Sequence, residues 1–190
     1  MIVGRTEFLH HKNKFLKQII DGAVFIYPTD TVYAIGCDAR NNKSVLRVRA
    51  LKNRNVMPIS IVAPNVEWIR EHLVADEEWL ARLPGPYTLA FLIKEDRCIA
   101  PAVTMGRDNL GVRIPSHWIH DIVAELGFPI IGTSANKTGQ NVMTKLDDLP
   151  SDIIRGVDFI IYEGEHRGQQ ATLVDLTGKN KPKNNHQPYS

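Results

Sequence analysis

Ala23-Val24-Phe25-Ile26-Tyr27-Pro28-Thr29-Asp30-Thr31-Val32-Tyr33 is the stretch whose reading decides the fold. Its first five residues are apolar or aromatic, with no polar alternation. Such a run reads as a strand buried on both faces, and Pro28 stops it. The residues before it carry a different period. From Glu7 to Asp21, Phe8, Leu9, Phe15, Leu16, Ile19 and Ile20 share one helical face, and Gly22 suits the end of that helix. A helix leading into a doubly buried strand points to helices layered on a sheet.

The same mixture continues outward. Asn41 to Leu51 fits a helix with Val45, Leu46 and Val48 inward, ending close to Lys52. Ile59-Ser60-Ile61-Val62 reads as a short strand. Asn65 and Asp76 suit the N-caps of helices running towards Leu73 and Leu83. Pro84-Gly85-Pro86 makes a rigid turn before a strand from Tyr87 to Ile93. Leu110 to Ile114 reads as a strand ending at Pro115, with Ser116 capping a helix to Leu126 and Gly127 after it. Pro129-Ile130-Ile131-Gly132, Val157 to Tyr162 and Thr172 to Leu176 complete the strands. This order predicts one α/β domain over residues 1–178, with helices flanking a mixed or largely parallel sheet. Residues 179–190 have no apolar pattern and read as a polar, disordered tail.

Bulk properties exclude little. The 190 residues suffice for one substantial core, and 43% hydrophobic with 23% charged residues is ordinary for a globular chain. A net charge of +2 does not demand nucleic acid, nor does it exclude a local basic groove. Cys37 and Cys98 show neither metal-ligand spacing nor a secreted-domain framework, so they read as inert thiols in a reducing compartment. No leader pattern and no apolar run of membrane length is present, and a cytoplasmic location is expected.

Four segments can carry chemistry, each with a plainer alternative. Thr29 and Thr31 follow a strand's carboxyl end, where open α/β sheets bind ligands, but they also suit a polar turn bonded to its own backbone. Lys52 and Arg54 pair a point charge with a bidentate fork suited to phosphate or carboxylate. A solvated basic surface with Arg47 and Arg49 is the alternative, and the commoner explanation of such runs. Arg113, in an apolar strand, requires a partner: a carboxylate ligand or an internal Asp or Glu. Thr133-Ser134-Ala135-Asn136 follows a buried strand. A helix opening there would turn N–H groups towards an anion, with Ser134 and Asn136 adding side-chain bonds, and simple N-capping by Ser134 is the alternative. No P-loop string or nucleophile elbow exists, so the chemistry would rest on positioning and charge stabilisation. His117 and His120 have a spacing that permits metal binding, but no third ligand accompanies them. They read as surface histidines, as do His10 and His11.

In order along the chain, Tyr27-Pro28-Thr29-Asp30-Thr31-Val32-Tyr33-Ala34-Ile35-Gly36, Lys52-x-Arg54, Pro84-Gly85-Pro86-Tyr87-Thr88, Gly111-Val112-Arg113-Ile114-Pro115, Thr133-Ser134-Ala135-Asn136-Lys137-Thr138-Gly139 and Ala171-Thr172-Leu173-Val174-Asp175-Leu176 resemble the YrdC-type L-threonylcarbamoyladenylate synthase family. The likeness spans roughly Ala23 to Thr177. It implies a twisted mixed α/β sheet with a concave basic face. It also implies a nucleotidyltransferase reaction, in which L-threonine, bicarbonate and ATP give threonylcarbamoyl-AMP and pyrophosphate, with Mg2+ accompanying the ATP. A partner transferase then modifies the adenosine beside the anticodon of tRNA.

Carried over by motif, Lys52, Arg54, Ser134 and Asn136 are the catalytic set, and with Thr133 they bind ATP. Thr31, Arg113 and Thr172 are expected to bind threonine, with Arg113 clamping its carboxylate; no metal ligands are assigned. Lys52→Ala or Arg54→Ala is expected to abolish turnover and leave the fold intact, because surface cations contribute little to stability. The chain departs from the resemblance where Asn55 replaces a proline, where Ser60 and Val62 stand near the position of a histidine, and where Gly178 and the polar tail replace a strand bearing an arginine. A non-catalytic RNA-binding module using the basic face is the alternative reading, disfavoured by the modest charge and 7% aromatic content. A hydrogenase-maturation carbamoyltransferase would be far longer and carry zinc-binding cysteines.

Overall fold

The computed structural model describes residues 1–54, 56–94 and 98–178; Asn55 and the predicted tail at 179–190 lie outside the described residues. The first half comprises β1 (Ile2–Val3), α1 (Arg5–His10), α2 (Lys12–Ile20), β2 (Phe25–Tyr27), β3 (Ala34–Gly36), α3 (Asn42–Lys52), β4 (Ile61–Val62), α4 (Val66–His72), α5 (Glu77–Leu80) and β5 (Tyr87–Leu92). The second comprises α6 (Pro101–Thr104), β6 (Asn109–Arg113), α7 (Ile119–Leu126), β7 (Ile130–Ile131), β8 (Thr133–Ser134), α8 (Ser151–Gly156), β9 (Phe159–Ile161) and β10 (Thr172–Asp175).

The mixed α/β architecture is as expected, with one refinement: the strands divide between two five-stranded sheets. Their orders are β1-β9-β2-β3-β8 and β10-β5-β6-β4-β7. Both are mixed. In the first, β9 runs parallel to β1 and β2, while β3 is antiparallel to β2 and β8. In the second, β10 is parallel to β5 and β4 to β6, with antiparallel pairs elsewhere. The double burial of β2 follows from this layering. Phe25 joins Phe8, Phe15, Ile19, Ile122 and Phe159 in a cluster built with α1, α2 and α7. Ile26 faces the other way, into a cluster with Ile61, Leu89, Phe91 and Val112 of the second sheet. The Tyr27 hydroxyl crosses between the sheets and donates to Ile131 O at 2.8 Å.

Caps and breaks explain the helix ends. Asn41 accepts from Ser44 N at 3.1 Å and Asn65 from Trp68 N at 2.7 Å, so both begin helices. Asn53 ends α3 in the left-handed region, with φ 51°. The single helix expected from Glu7 to Asp21 is instead broken at His11 into α1 and α2, which lets Phe8 and Phe15 stack at 5.0 Å. Ser116 does not cap α7: that helix begins at Ile119, and Ser116 N donates to Asp30 Oδ2 at 3.0 Å. Leu46, expected inward, is 49% exposed.

No helix opens after Thr133. The chain passes from β7 in one sheet to β8 in the other, and Ser134 pairs with Ala34. Gly132 makes the crossing possible, because a Cβ there would stand 2.9 Å from Val62 Cγ2.

Candidate active site

The turn after β2 is built by Thr29, whose hydroxyl donates to Val32 O at 2.7 Å and accepts from Thr31 N and Val32 N, both at 3.2 Å. For Thr29 the polar-turn alternative is therefore correct. The turn sets its next two residues against Arg113 at the end of β6. Arg113 Nη2 bonds Asp30 Oδ1 at 2.7 Å, and Nη1 bonds Thr31 Oγ1 at 2.9 Å. The internal carboxylate partner is thus Asp30, with both side chains about nine-tenths buried. This pair joins the two sheets. Arg113 Nε is buried and has no partner among the described residues.

The solvated-surface reading fails for Lys52, which is 1% exposed. Its ammonium donates to Ser134 O, to Asn136 O at 2.7 Å and to Asn136 Oδ1 at 3.2 Å. Thr138 closes the connection in return, with its N and Oγ1 both 2.9 Å from Lys52 O. Lys52 therefore clamps the 134–138 segment to the end of α3, and its donors point into protein. The premise that this is a surface cation, and with it the expected intact fold of Lys52→Ala, is corrected. Arg49 is equally buried, at 4% exposure, whereas Arg47 reaches Asp158 at 3.1 Å near the surface. Arg54 is half-buried and leans on its own loop, with Nη2 donating to Pro58 O at 2.7 Å.

Burial, and secondarily the Arg54 charge, push the Lys52 pKa down to about 7. A base with a lowered folded pKa binds fewer protons folded than unfolded between that value and its ordinary one, so stability rises with pH over that window. Cys37 is shifted upward by burial and acts the other way once unfolded thiols ionise, from about pH 8.5. Thermal melts should therefore show stability increasing from pH 7 to 8.5 by roughly 1–2 kcal/mol. A flat or falling profile across that interval contradicts the buried, low-pKa amine.

Ser134 and Asn136 are locked together, Oγ to Oδ1 at 2.6 Å, and Asn136 Nδ2 donates to Gln140 O at 2.6 Å. Arg54, Arg113, Thr133 and Ser134 line one cleft of about 170 Å³ between the sheets. Lys52, Asn136 and Thr31 sit buried behind its walls. Thr172 is exposed and does not line the cleft; Gln170 and Ala171, just before it, do. Ser60 and Thr88 also line it and were not singled out as site residues from the sequence. Ser60 carried a signal, since it is the one polar residue in the Ile59–Val62 run.

The strap from Glu163 to Ala171 leads Gln170 and Ala171 to the cleft wall. Tyr33 Oη donates to Gly164 O at 2.8 Å and accepts from Glu163 N at 3.0 Å. His166 Nε2 lies 2.9 Å from Thr31 O. Gly168 packs directly on that carbonyl, leaving no space for a Cβ. His117, read as a surface residue, is partly buried and pairs with Glu163 at 3.2 Å; burial lowers its pKa against that charge. Among the described residues no group of three His, Cys, Asp or Glu is placed to hold a metal ion, and no helix is long and apolar enough to cross a membrane.

The family Sua5/YciO/YrdC, described as "Telomere recombination", matches residues 17–184. A threonylcarbamoyl-AMP synthase of Pyrococcus abyssi is 32% identical over 167 residues, covering 84% of this chain and 48% of that protein. One from Chromobacterium violaceum is 36% identical over 132 residues, covering 65% of this chain and 67% of its own. The P. abyssi Sua5 structure complexed with L-threonine superposes with a TM-score of 0.79 at 30% identity, over 93% of this chain and 54% of that one. E. coli YciO shares the fold, with a TM-score of 0.81 at 21% identity over 95% of this chain and 91% of its own. This chain thus spans about half of the Pyrococcus protein and most of YciO. With a family match over most of its length and a cleft walled by the matching motifs, the chain belongs to the Sua5/YciO/YrdC family.

Proposed function

We propose that this chain is a threonylcarbamoyl-AMP synthase, a nucleotidyltransferase that joins L-threonine, bicarbonate and ATP and releases pyrophosphate. The observation that carries the reading is Arg113. Asp30 and Thr31 each take one of its five N–H groups and fix the plane of the guanidinium, Arg113 lines the cleft, and Nε is buried with no partner among the described residues. An amino-acid carboxylate satisfies such a group. Thr31 then acts through Arg113 rather than on the substrate. The threonine amine attacks bicarbonate with loss of water, or CO2 derived from it with loss of a proton, to form a carbamate. A carbamate oxygen attacks the α-phosphorus of ATP, and pyrophosphate leaves.

Arg54 faces the phosphate and carbamate oxygens, and Thr133 and Ser134 meet the nucleotide. Lys52 and Asn136 hold that loop in place. No protein nucleophile is required; proximity and charge stabilisation supply the acceleration. Mg2+ enters with ATP as part of the substrate. The product passes to a transferase that modifies tRNA beside the anticodon, in the cytoplasm, and a concave basic face would admit direct RNA contact. Purified protein given threonine, bicarbonate, ATP and Mg2+ should release pyrophosphate only when all are present. No release, or release indifferent to threonine, refutes the reading.

A further inference from the structure

Arg49 lies on α3, one turn before Lys52, and a buried guanidinium ordinarily faces a carboxylate. Here the acceptors are main-chain carbonyls. Nη1 donates to Arg54 O and Met57 O, both at 3.0 Å, and Nη2 to Val103 O at 3.0 Å, while Nε donates to Ala102 O. One side chain therefore ties α3, the loop carrying Arg54 and the helix α6 together. Arg54 depends on the same loop, since its own guanidinium bonds Pro58 O and, at 3.4 Å, Met57 O. Met57 O accepts from both guanidiniums and so holds two like charges close together: burial and the neighbouring Arg54 both lower the Arg49 pKa.

We propose that Arg49 is a positioning residue for the reaction, fixing the Arg54 main chain so that the Arg54 side chain meets the phosphate-bearing substrate in the cleft. It rests on the nucleotide-activating reading of that cleft. Arg49 touches no cleft surface itself, so its effect passes through Arg54. Lysine is a poor substitute, because a point charge does not reproduce a planar fork with acceptors on two sides.

The test is a double-mutant cycle between Arg49→Lys and Arg54→Ala, read as the equilibrium Kd for ATP and the Kd for threonine by titration calorimetry, with folding followed by circular dichroism. Arg49→Lys should raise the Kd for ATP about tenfold or more in the wild-type background and change the Kd for threonine by less than about twofold. In the Arg54→Ala background the same change should add almost nothing to the Kd for ATP. Equal penalties in both backgrounds, or equal shifts in both Kd values, overturn the proposal and leave Arg49 a purely structural residue. If Arg49→Lys does not fold, Arg49→Gln takes its place in the cycle, and failure of both to fold overturns the proposal too. A wild-type protein that neither binds nor turns over ATP removes the functional reading itself, and this proposal with it.

Discussion

Lys52→Ala should lose turnover and fold stability together. The substitution strips the donor from Ser134 O, Asn136 O and Asn136 Oδ1 in an almost fully buried position. Asn136 O is left without its donor, at a cost of about 1–3 kcal/mol, whereas Ser134 O keeps Asn136 N and Asn136 Oδ1 keeps Ser134 Oγ. The cavity left by the buried side chain adds about 2 kcal/mol or more. A total loss of about 3 kcal/mol or more is a large part of a typical stability and lowers Tm by roughly 6–12 °C. Turnover falls because Ser134 and Asn136 leave their positions, even at temperatures where the protein remains folded. Arg54→Ala provides the contrast. Arg54 is half-buried and braces only its own loop, so it should lose activity with a much smaller change in Tm. Differential scanning calorimetry beside the pyrophosphate assay separates the two. A Lys52→Ala protein that melts with the wild type rejects the clamp.

Arg113→Ala should produce the largest loss in use of threonine. It removes the proposed partner of the threonine carboxylate and strands Asp30, whose side chain is only 11% exposed. Truncating one member of a buried, hydrogen-bonded charge pair costs about 2–5 kcal/mol. Expressed in kcat/KM for threonine, that is a fall of about 30-fold to several thousandfold. Arg113→Lys should recover little of it, since one ammonium does not serve Asp30, Thr31 and a ligand in the same plane. Steady-state kinetics with threonine varied at saturating ATP measure the effect. An unchanged KM for threonine in either variant excludes Arg113 as the clamp.

Local pattern and long-range pairing account for what was legible. The run from Ala23 to Tyr27 announces its own double burial, because five adjacent apolar side chains require cover on both faces. It does not announce which layers provide that cover. The division into two sheets depends on partners far apart in sequence, such as Ala34 with Ser134, and no periodicity reports them. The misreading of α3 is more instructive. Four of its five buried positions, Val45, Val48, Arg49 and Lys52, fall at i, i+3, i+4 and i+7, a regular inward stripe with Ser44 beside it. Two of those positions are cations, so hydrophobicity misses them and selects Leu46 instead. Extending the stripe by geometry rather than by residue type would have placed Arg49 and Lys52 inside. Arg113 was legible as needing a partner, and the choice between Asp30 and a ligand was not, since both use the same fork.

Gly132 carries a consequence for assembly. The chain leaves one sheet at Ile131 and enters the other at Thr133, and the cleft takes Arg113 from the first and Ser134 from the second. Neither sheet alone contains the cleft. Secondary structure can form within one sheet before the cleft exists, so under the proposed function threonine binding is expected only once the two sheets have docked. Ligand binding would then report the joining of the two halves rather than the formation of either.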